Sequence, residues 1–211
     1  MAAHANAPRD PSAPRVMLRR CAAVAAVIGG SAWLVKSAVT LATGDEPAAA
    51  FAIGGMLFPF ALLGLWSIVR RADGRAGRVG GALAAAAAVS VVLATVVRVL
   101  GGAGVEPTED EITLLTPFLA IAGFGTFAAL LALGHAVRRD GALAAGWRSL
   151  PWAMGVAAIP LLIVGGALEA VNERLLELPI ALLALGWILF GAVLWKAAAQ
   201  HPHEINARAS P

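Results

Sequence analysis

The sequence predicts an all-α fold, a polytopic transmembrane bundle of six helices, and three observations lead to it. The chain is 59% hydrophobic and 14% charged, with a mean hydropathy of +0.78, whereas a soluble domain is closer to half apolar and a quarter charged. Its apolar residues fall in six long runs. Its charged residues change sign from one connecting segment to the next, as expected when successive segments lie on opposite sides of a membrane.

Each apolar run is long enough to cross a bilayer as a helix, which takes roughly 20 residues. The runs lie near residues 21–43, 48–69, 79–101, 113–137, 151–171 and 178–197. Residues 1–16 and 199–211 are rich in Ala, Pro and charge without periodicity, so we expect disordered tails on either side of a membrane domain at 17–198. The connecting segments are too short for a soluble domain, so binding or catalysis would have to use the bundle and its rims.

The connecting segments divide into a basic end and an acidic end of the bundle. The basic end carries Arg9, Arg15, Arg19, Arg20, Arg70, Arg71, Arg75, Arg78, Arg138, Arg139, Arg148, Lys196 and Arg208. The acidic end carries Asp45, Glu46, Glu106, Glu109, Asp110, Glu111, Glu169, Glu173 and Glu177. Because Lys and Arg are enriched in cytoplasmic segments, we expect both termini in the cytoplasm. The heavy use of Ala, Gly, Val and Arg is typical of a bacterial protein, so the expected location is the bacterial inner membrane.

Two alternatives to six independent helices stay open. The first run follows arginines, as a secretory signal does, and its cleavage would leave five helices; its length and the late Lys36 favour a retained helix. The phrases ALLGLW at 61–66, ALLALGH at 129–135 and ALLALGW at 181–187 suggest three related helical hairpins. Chance resemblance among Leu- and Ala-rich helices is the other explanation of these phrases.

The composition of the runs predicts close helix packing and two bends. Paired glycines and Ala-rich stretches let helix backbones approach each other, or a second membrane protein, or a second copy of the chain. We expect the third helix, with its run of alanines at 84–88, to be the one most surrounded by protein. Pro59 and Pro160 fall inside their spans and should bend them, because proline lacks an amide hydrogen and clashes with the preceding turn.

Lys36 is the most unusual residue in the sequence, because a lysine inside an apolar span is costly. It lies about 12 Å along the helix from Gly44 at the acidic end. Trp33, Ser37 and Thr40 share its helix face. This face is expected to point into the bundle, although a lysine stem that reaches outward to the interface is an alternative.

The expected partners of Lys36 are the carboxylates of Glu169, Glu173 and Glu177, and our hypothesis pairs it with Glu169 or Glu173. Arg98 is a second cation inside a span near the acidic end. Together these residues predict an outward-facing polar pocket around Lys36, Arg98 and Glu169, and Glu173 is a further candidate ligand-binding residue. Two alternatives stay open: an Arg98 side chain that reaches the membrane interface and a solvated turn around Glu173. No comparable charges continue into the basic half, which argues against a complete ion pathway.

The sequence points to no particular reaction. It shows no nucleophile with a matched base, no phosphate-binding loop and no set of metal ligands, so no catalytic residue, metal or cofactor is expected. The basic residues sit at helix ends where they set topology, so the expected partner is the lipid bilayer and not nucleic acid. A sensor, scaffold or partner subunit is the first interpretation. A binding or transport protein that uses the polar pocket is the alternative, and an enzyme acting on lipids is the least supported.

Overall fold

The computed structural model describes residues 13–69, 74–101 and 112–208. Within these ranges the helices are α1 (Ala13–Thr43), α2 (Ala48–Val69), α3 (Arg75–Gly101), α4 (Thr116–Asp140), α5 (Leu150–Glu169) and α6 (Glu177–Arg208), with a short 3₁₀ turn, Glu173–Leu176, before α6. Each predicted span falls on one of these helices, and all six are long and apolar enough to cross a membrane. The predicted all-α, six-helix fold is confirmed, and the chain is a multi-pass membrane protein.

The outermost helices extend beyond the predicted spans. α1 begins at Ala13 and α6 continues to Arg208, whereas disordered tails are predicted through residue 16 and from residue 199. Alanine and arginine are strong helix formers, so a helix that is already nucleated inside the membrane propagates readily through Arg15–Arg20 and Ala197–Ala199. The remainder of the predicted tails, residues 1–12 and 209–211, lies outside the described residues.

The helices are arranged so that each contacts its neighbours in sequence, and α6 closes the ring against α1. The contact of α1 with α6 is the most extensive, followed by those of α1 with α2 and of α3 with α4, while α2 also touches α4 across the bundle. The contact between α5 and α6 is much smaller than the contact between α1 and α6. Two of the three predicted hairpins are therefore tightly packed pairs, and the third is looser.

Glycine permits the close contact between α1 and α6. A Cβ added at Gly30 would lie 2.7 Å from the backbone oxygen of Ala184, and one added at Gly191 would lie 2.7 Å from that of Ala23. Such distances are too short for any side chain, so the two backbones touch because these positions carry none. The expectation that the third helix is the most enclosed is wrong. Within an apolar stretch of 18 residues, 44% of the residues are buried in the last span, Glu173–Ala199, and 33% in α3. α3 packs mainly on α4, which leaves its valine-rich face outside.

Both internal prolines lie within continuous helices. α2 runs through Pro59 and α5 through Pro160, and the predicted bends stay a prediction. Pro59 is fully buried among the α2 residues that face the core, whereas Pro160 is exposed on the outer surface of the bundle. Since proline cannot donate an amide hydrogen, the carbonyl of Gly55 has no helical donor one turn before Pro59.

Candidate functional site

Lys36 is buried inside the bundle and pairs with two carboxylates. Its residue is only 4% exposed, so the alternative of a lysine that reaches the surface is not what the fold adopts. The ammonium donates a short hydrogen bond to Glu177, whose residue is 3% exposed, and lies 2.9 Å from Oε1 of the half-exposed Glu46. We call these three residues, Lys36, Glu46 and Glu177, the Lys36 cluster.

The partner of Lys36 differs from the hypothesis of the sequence analysis. Glu169, at the end of α5, and Glu173, in the 3₁₀ turn, are both exposed and neither pairs with the lysine. Glu177 is the first residue of α6, and α6 is the helix against which α1 packs most closely. Its carboxylate therefore enters the α1–α6 interface, where the positive end of the α6 dipole adds to its stabilisation.

The rest of the predicted polar face surrounds the Lys36 cluster. Ser37 is completely buried, and Thr40 is buried with its hydroxyl donating to the backbone oxygen of Asp45 at 3.3 Å. Within the described part of the chain, Ser37 Oγ and Glu177 Oε2 are buried without a hydrogen-bond partner. A buried polar atom left in this state costs about 1–3 kcal/mol, so the α1–α6 interface contains unused hydrogen-bonding capacity.

The segments at the acidic end are held together by a second polar contact. Arg174 Nη2 donates to the backbone oxygen of Thr43 at 3.3 Å. It lies against Gly44, whose φ of 86° is in the left-handed region that favours glycine. A Cβ at Gly44 would come within 2.7 Å of the same Nη2 atom. The α1–α2 connection is thereby fixed to the start of α6 by both Lys36 and Arg174.

A cavity of about 270 Å³ lies beside the Lys36 cluster in the same half of the bundle. Helices α1, α2, α3, α4 and α6 all contribute to its walls. Its lining comprises Trp33, Phe51, Ala52, Gly55, Met56, Phe58, Val91, Ala94, Thr95, Arg98, Val99, Leu115, Leu119, Ala122, Gly123, Thr126, Phe127 and Trp187. Apolar and aromatic side chains predominate, and a few polar groups stand among them, which is the usual composition of a small-molecule site.

The polar groups of the cavity are few and distinct in kind. Arg98, half-buried one turn after Thr95, supplies a positive charge. The hydroxyls of Thr95 and Thr126 donate to the carbonyls of Val91 and Ala122 on their own helices, at 2.9 Å and 2.6 Å. Their hydrogens are thus already used, and only their lone pairs remain for a ligand.

An aromatic stack links the cavity to the Lys36 cluster. The rings of Trp33 and Phe51 are parallel, with centroids 6.0 Å apart, and both rings line the cavity. The Lys36 ammonium lies 5.8 Å from the centroid of the same Phe51 ring. The ring contacts continue inward: Trp33 meets Phe58 edge to face, with centroids 4.9 Å apart, and Phe58 stacks on Trp187, with centroids 4.2 Å apart. A molecule in the cavity would therefore contact the Phe51 ring, beside which the Lys36 ammonium lies.

The structure separates the single predicted pocket into two neighbouring features. Trp33 and Arg98 line the cavity, whereas Lys36 pairs with Glu177 at the start of α6. Ser37 and Thr40 are buried on the same helix as Lys36, and Glu169 and Glu173 are exposed. Sequence reasoning missed the aromatic walls and the contribution of Glu46. No pattern within one segment of the sequence indicates the aromatic walls of the cavity, because the rings come from helices far apart in the chain. Glu46 could have been found from its position directly after the helix that contains Lys36.

Known proteins give no further guide to the site. Among the described residues, no group of three or more His, Cys, Asp and Glu side chains could hold a metal ion. No protein-family model, curated protein or solved structure matches this chain. Any functional conclusion therefore depends on the cavity and the Lys36 cluster themselves.

Proposed function

We propose that the chain is a protein of the bacterial cytoplasmic membrane, with both termini in the cytoplasm, that binds a small amphipathic molecule in the cavity as a receptor or carrier. The observation that carries this proposal is the cavity itself, lined by residues of five helices in the acidic half of the bundle. Its aromatic walls and single rim arginine offer both apolar contact and a polar anchor. These are the two features by which such sites bind and orient a ligand.

The positions at which the glycines pack favour a binding protein over a scaffold. A scaffold would present its small-residue faces to a partner, but Gly29, Gly64, Gly80 and Gly155 pack against side chains of neighbouring helices in this chain. Gly55 is different, because a Cβ there would meet nothing within 4 Å, and the residue lines the cavity. These four glycines thus serve the internal packing, and Gly55 leaves space in the cavity.

The proposal is tested by photolabelling and by filling the cavity. The purified protein in phosphatidylcholine nanodiscs is irradiated with a diazirine analogue of decanol, and labelled peptides are mapped by mass spectrometry. We expect saturable labelling of residues on α2, α3 and α4 that line the cavity. Gly55→Leu should abolish most of this labelling by occupying the space, whereas Gly166→Leu should not.

Gly166 is the matched control because a Cβ there also meets nothing within 4 Å, but the residue is exposed on α5 and away from the cavity. Both variants replace a helical glycine of a membrane span with leucine, so they share any effect on helix propensity. Equal loss of labelling in the two variants, or unsaturable labelling spread over all helices, would contradict the proposed function.

A further inference from the structure

We infer that the ligand of the cavity is a single-chain anionic amphiphile whose acidic group is bound by Arg98 and whose apolar body lies among Trp33, Phe58 and Trp187. This inference rests on the proposed function and adds the chemical class of the ligand. It is carried by three observations: the charge of the described lining, the axial order of polar and apolar groups, and the state of the hydroxyls.

The charge of the cavity wall selects an anion. Arg98 lines the cavity, and no carboxylate is found among the described lining residues. A guanidinium stays protonated under all physiological conditions, and its planar fork matches a carboxylate or phosphate with two parallel hydrogen bonds. Arg98 already takes part in an interaction within the chain, but five N–H donors can serve a ligand as well. A cationic ligand would meet repulsion from this guanidinium.

The axial order of the wall selects an amphiphile. Arg98 stands near the end of α3, three residues before Gly101, and so lies at the edge of the membrane-spanning region. Val91 lines the same cavity two turns deeper, about 10 Å along the helix axis. Trp187, at the far wall, is only 1% exposed. A ligand that contacts both Arg98 and the deeper apolar wall has its charge at the membrane edge. Its apolar body is of medium length and is directed inward.

The threonine hydroxyls and the Gly55 carbonyl can accept hydrogen bonds from a ligand but cannot donate them. The hydroxyl hydrogens of Thr95 and Thr126 are bound to helix carbonyls. The carbonyl of Gly55, which lines the cavity, has no helical donor because residue 59 is proline. The indole N–H of Trp33 donates to the backbone oxygen of Phe51, while the indole N–H of Trp187 lies deep in the cavity and carries no charge. Arg98 brings a charged donor to the membrane edge, so the preference between head groups should depend on this residue.

The test compares three diazirine probes that differ only in head group: decanoic acid, decanol and decylamine. The wild-type protein is held in phosphatidylcholine nanodiscs, and the concentration giving half-maximal labelling of cavity peptides is measured for each. We expect the carboxylate to label at about tenfold lower concentration than the alcohol, because a hydrogen bond to a charged group is roughly twice as strong as a neutral one, and the amine to label least.

Variants of Arg98 test whether this residue causes the preference for the acidic probe. Arg98→Gln should remove the advantage of the acid over the alcohol while labelling by the alcohol continues, and Arg98→Lys should keep part of it. Arg78→Gln is the matched control, because Arg78 is an exposed arginine at the opposite end of α3 and does not line the cavity. The head-group comparison in the wild-type protein stands even if an Arg98 variant folds poorly.

Each outcome decides between the two proposals or between sources of the anion. Equal half-maximal concentrations for the three probes, at peptides of the cavity, would overturn the anionic class and leave the proposed function in place. Absence of cavity labelling by every probe would overturn the proposed function itself. Unlabelled decanoate should compete with the acidic probe; if only phosphatidylglycerol in the nanodisc competes, the anion belongs to a bilayer lipid, and the single-chain ligand is wrong.

Discussion

Separating Lys36 from Glu177 should destabilise the protein more than removing both charges. The two residues are 4% and 3% exposed, so the Glu177 carboxylate depends on Lys36 for compensation, and among the described residues Lys36 has only the half-exposed Glu46 as a second carboxylate contact. Removing one partner of a buried pair costs about 3–5 kcal/mol, because the charge that remains is left in a medium of low polarity. We therefore predict a loss of this size in the free energy of unfolding for Lys36→Met and for Glu177→Gln. The double variant should lose less than the sum of the two.

Glu46 should contribute far less than Glu177. It also lies within 2.9 Å of the Lys36 ammonium, but its side chain is 54% exposed. A contact to such a solvated carboxylate is worth about 0–1 kcal/mol, so Glu46→Gln should fall in that range. Glu169→Gln and Glu173→Gln serve as controls, since both residues are exposed and lie outside the Lys36 cluster; we expect changes within about 0.5 kcal/mol.

The measurement is unfolding in mixed micelles of increasing SDS content, followed by tryptophan fluorescence. Stability is compared across a double-mutant cycle of Lys36 with Glu177, and a second cycle of Lys36 with Glu169. A coupling free energy above about 2 kcal/mol in the first cycle and near zero in the second is expected. Near-zero coupling between Lys36 and Glu177, or a larger coupling to Glu169, would refute the reasoning.

Two further predictions concern packing and orientation. Gly30→Val should lower the free energy of unfolding by about 1–3 kcal/mol, because its Cβ would collide with the Ala184 carbonyl; Gly166→Val, measured in the same unfolding assay, should change little, and equal losses would contradict the close α1–α6 contact. In a background with Cys21 replaced by Ala, single cysteines at positions 45 and 172 should react with a membrane-impermeant maleimide in intact cells, since both belong to the acidic end; reaction at position 142 instead would reverse the orientation.

The sequence was sufficient to predict the spans because crossing a membrane depends on the hydropathy of the segment itself. It was also sufficient to predict that Lys36 points inward, since a charge in an apolar run must find a polar environment. The partner of Lys36 could not be chosen from Glu169, Glu173 and Glu177 in the same way. The choice depends on which helix packs against α1 and on the geometry of the 3₁₀ turn, and neither is encoded in local hydropathy.

The aromatic walls of the cavity lay beyond sequence reasoning for a related reason. Phe51 and Phe58 belong to α2, whereas Trp187 belongs to α6, and these two helices have few direct contacts. Their rings meet because α1 lies beside both helices and places Trp33 against Phe51 and Phe58. No spacing within one segment signals such a meeting. By contrast, the small residues that mark helix contacts are visible in the sequence, but they do not indicate which contacts are internal.

The position of α1 relative to α6 connects the Lys36 cluster to the cavity. The two helices meet through glycine and alanine, and such smooth surfaces specify the axial register weakly. One contact joins this pair of helices near each end. Lys36 of α1 binds Glu177 of α6 at the acidic end. The guanidinium of Arg20 of α1 lies 5.6 Å from the ring centroid of Trp195 of α6 at the basic end. Fixing the axial register of two packed helices is the best-supported role of a buried polar contact. Because Trp33 lies one turn from Lys36 on the same helix, fixing that register also fixes the wall that Trp33 presents to the cavity.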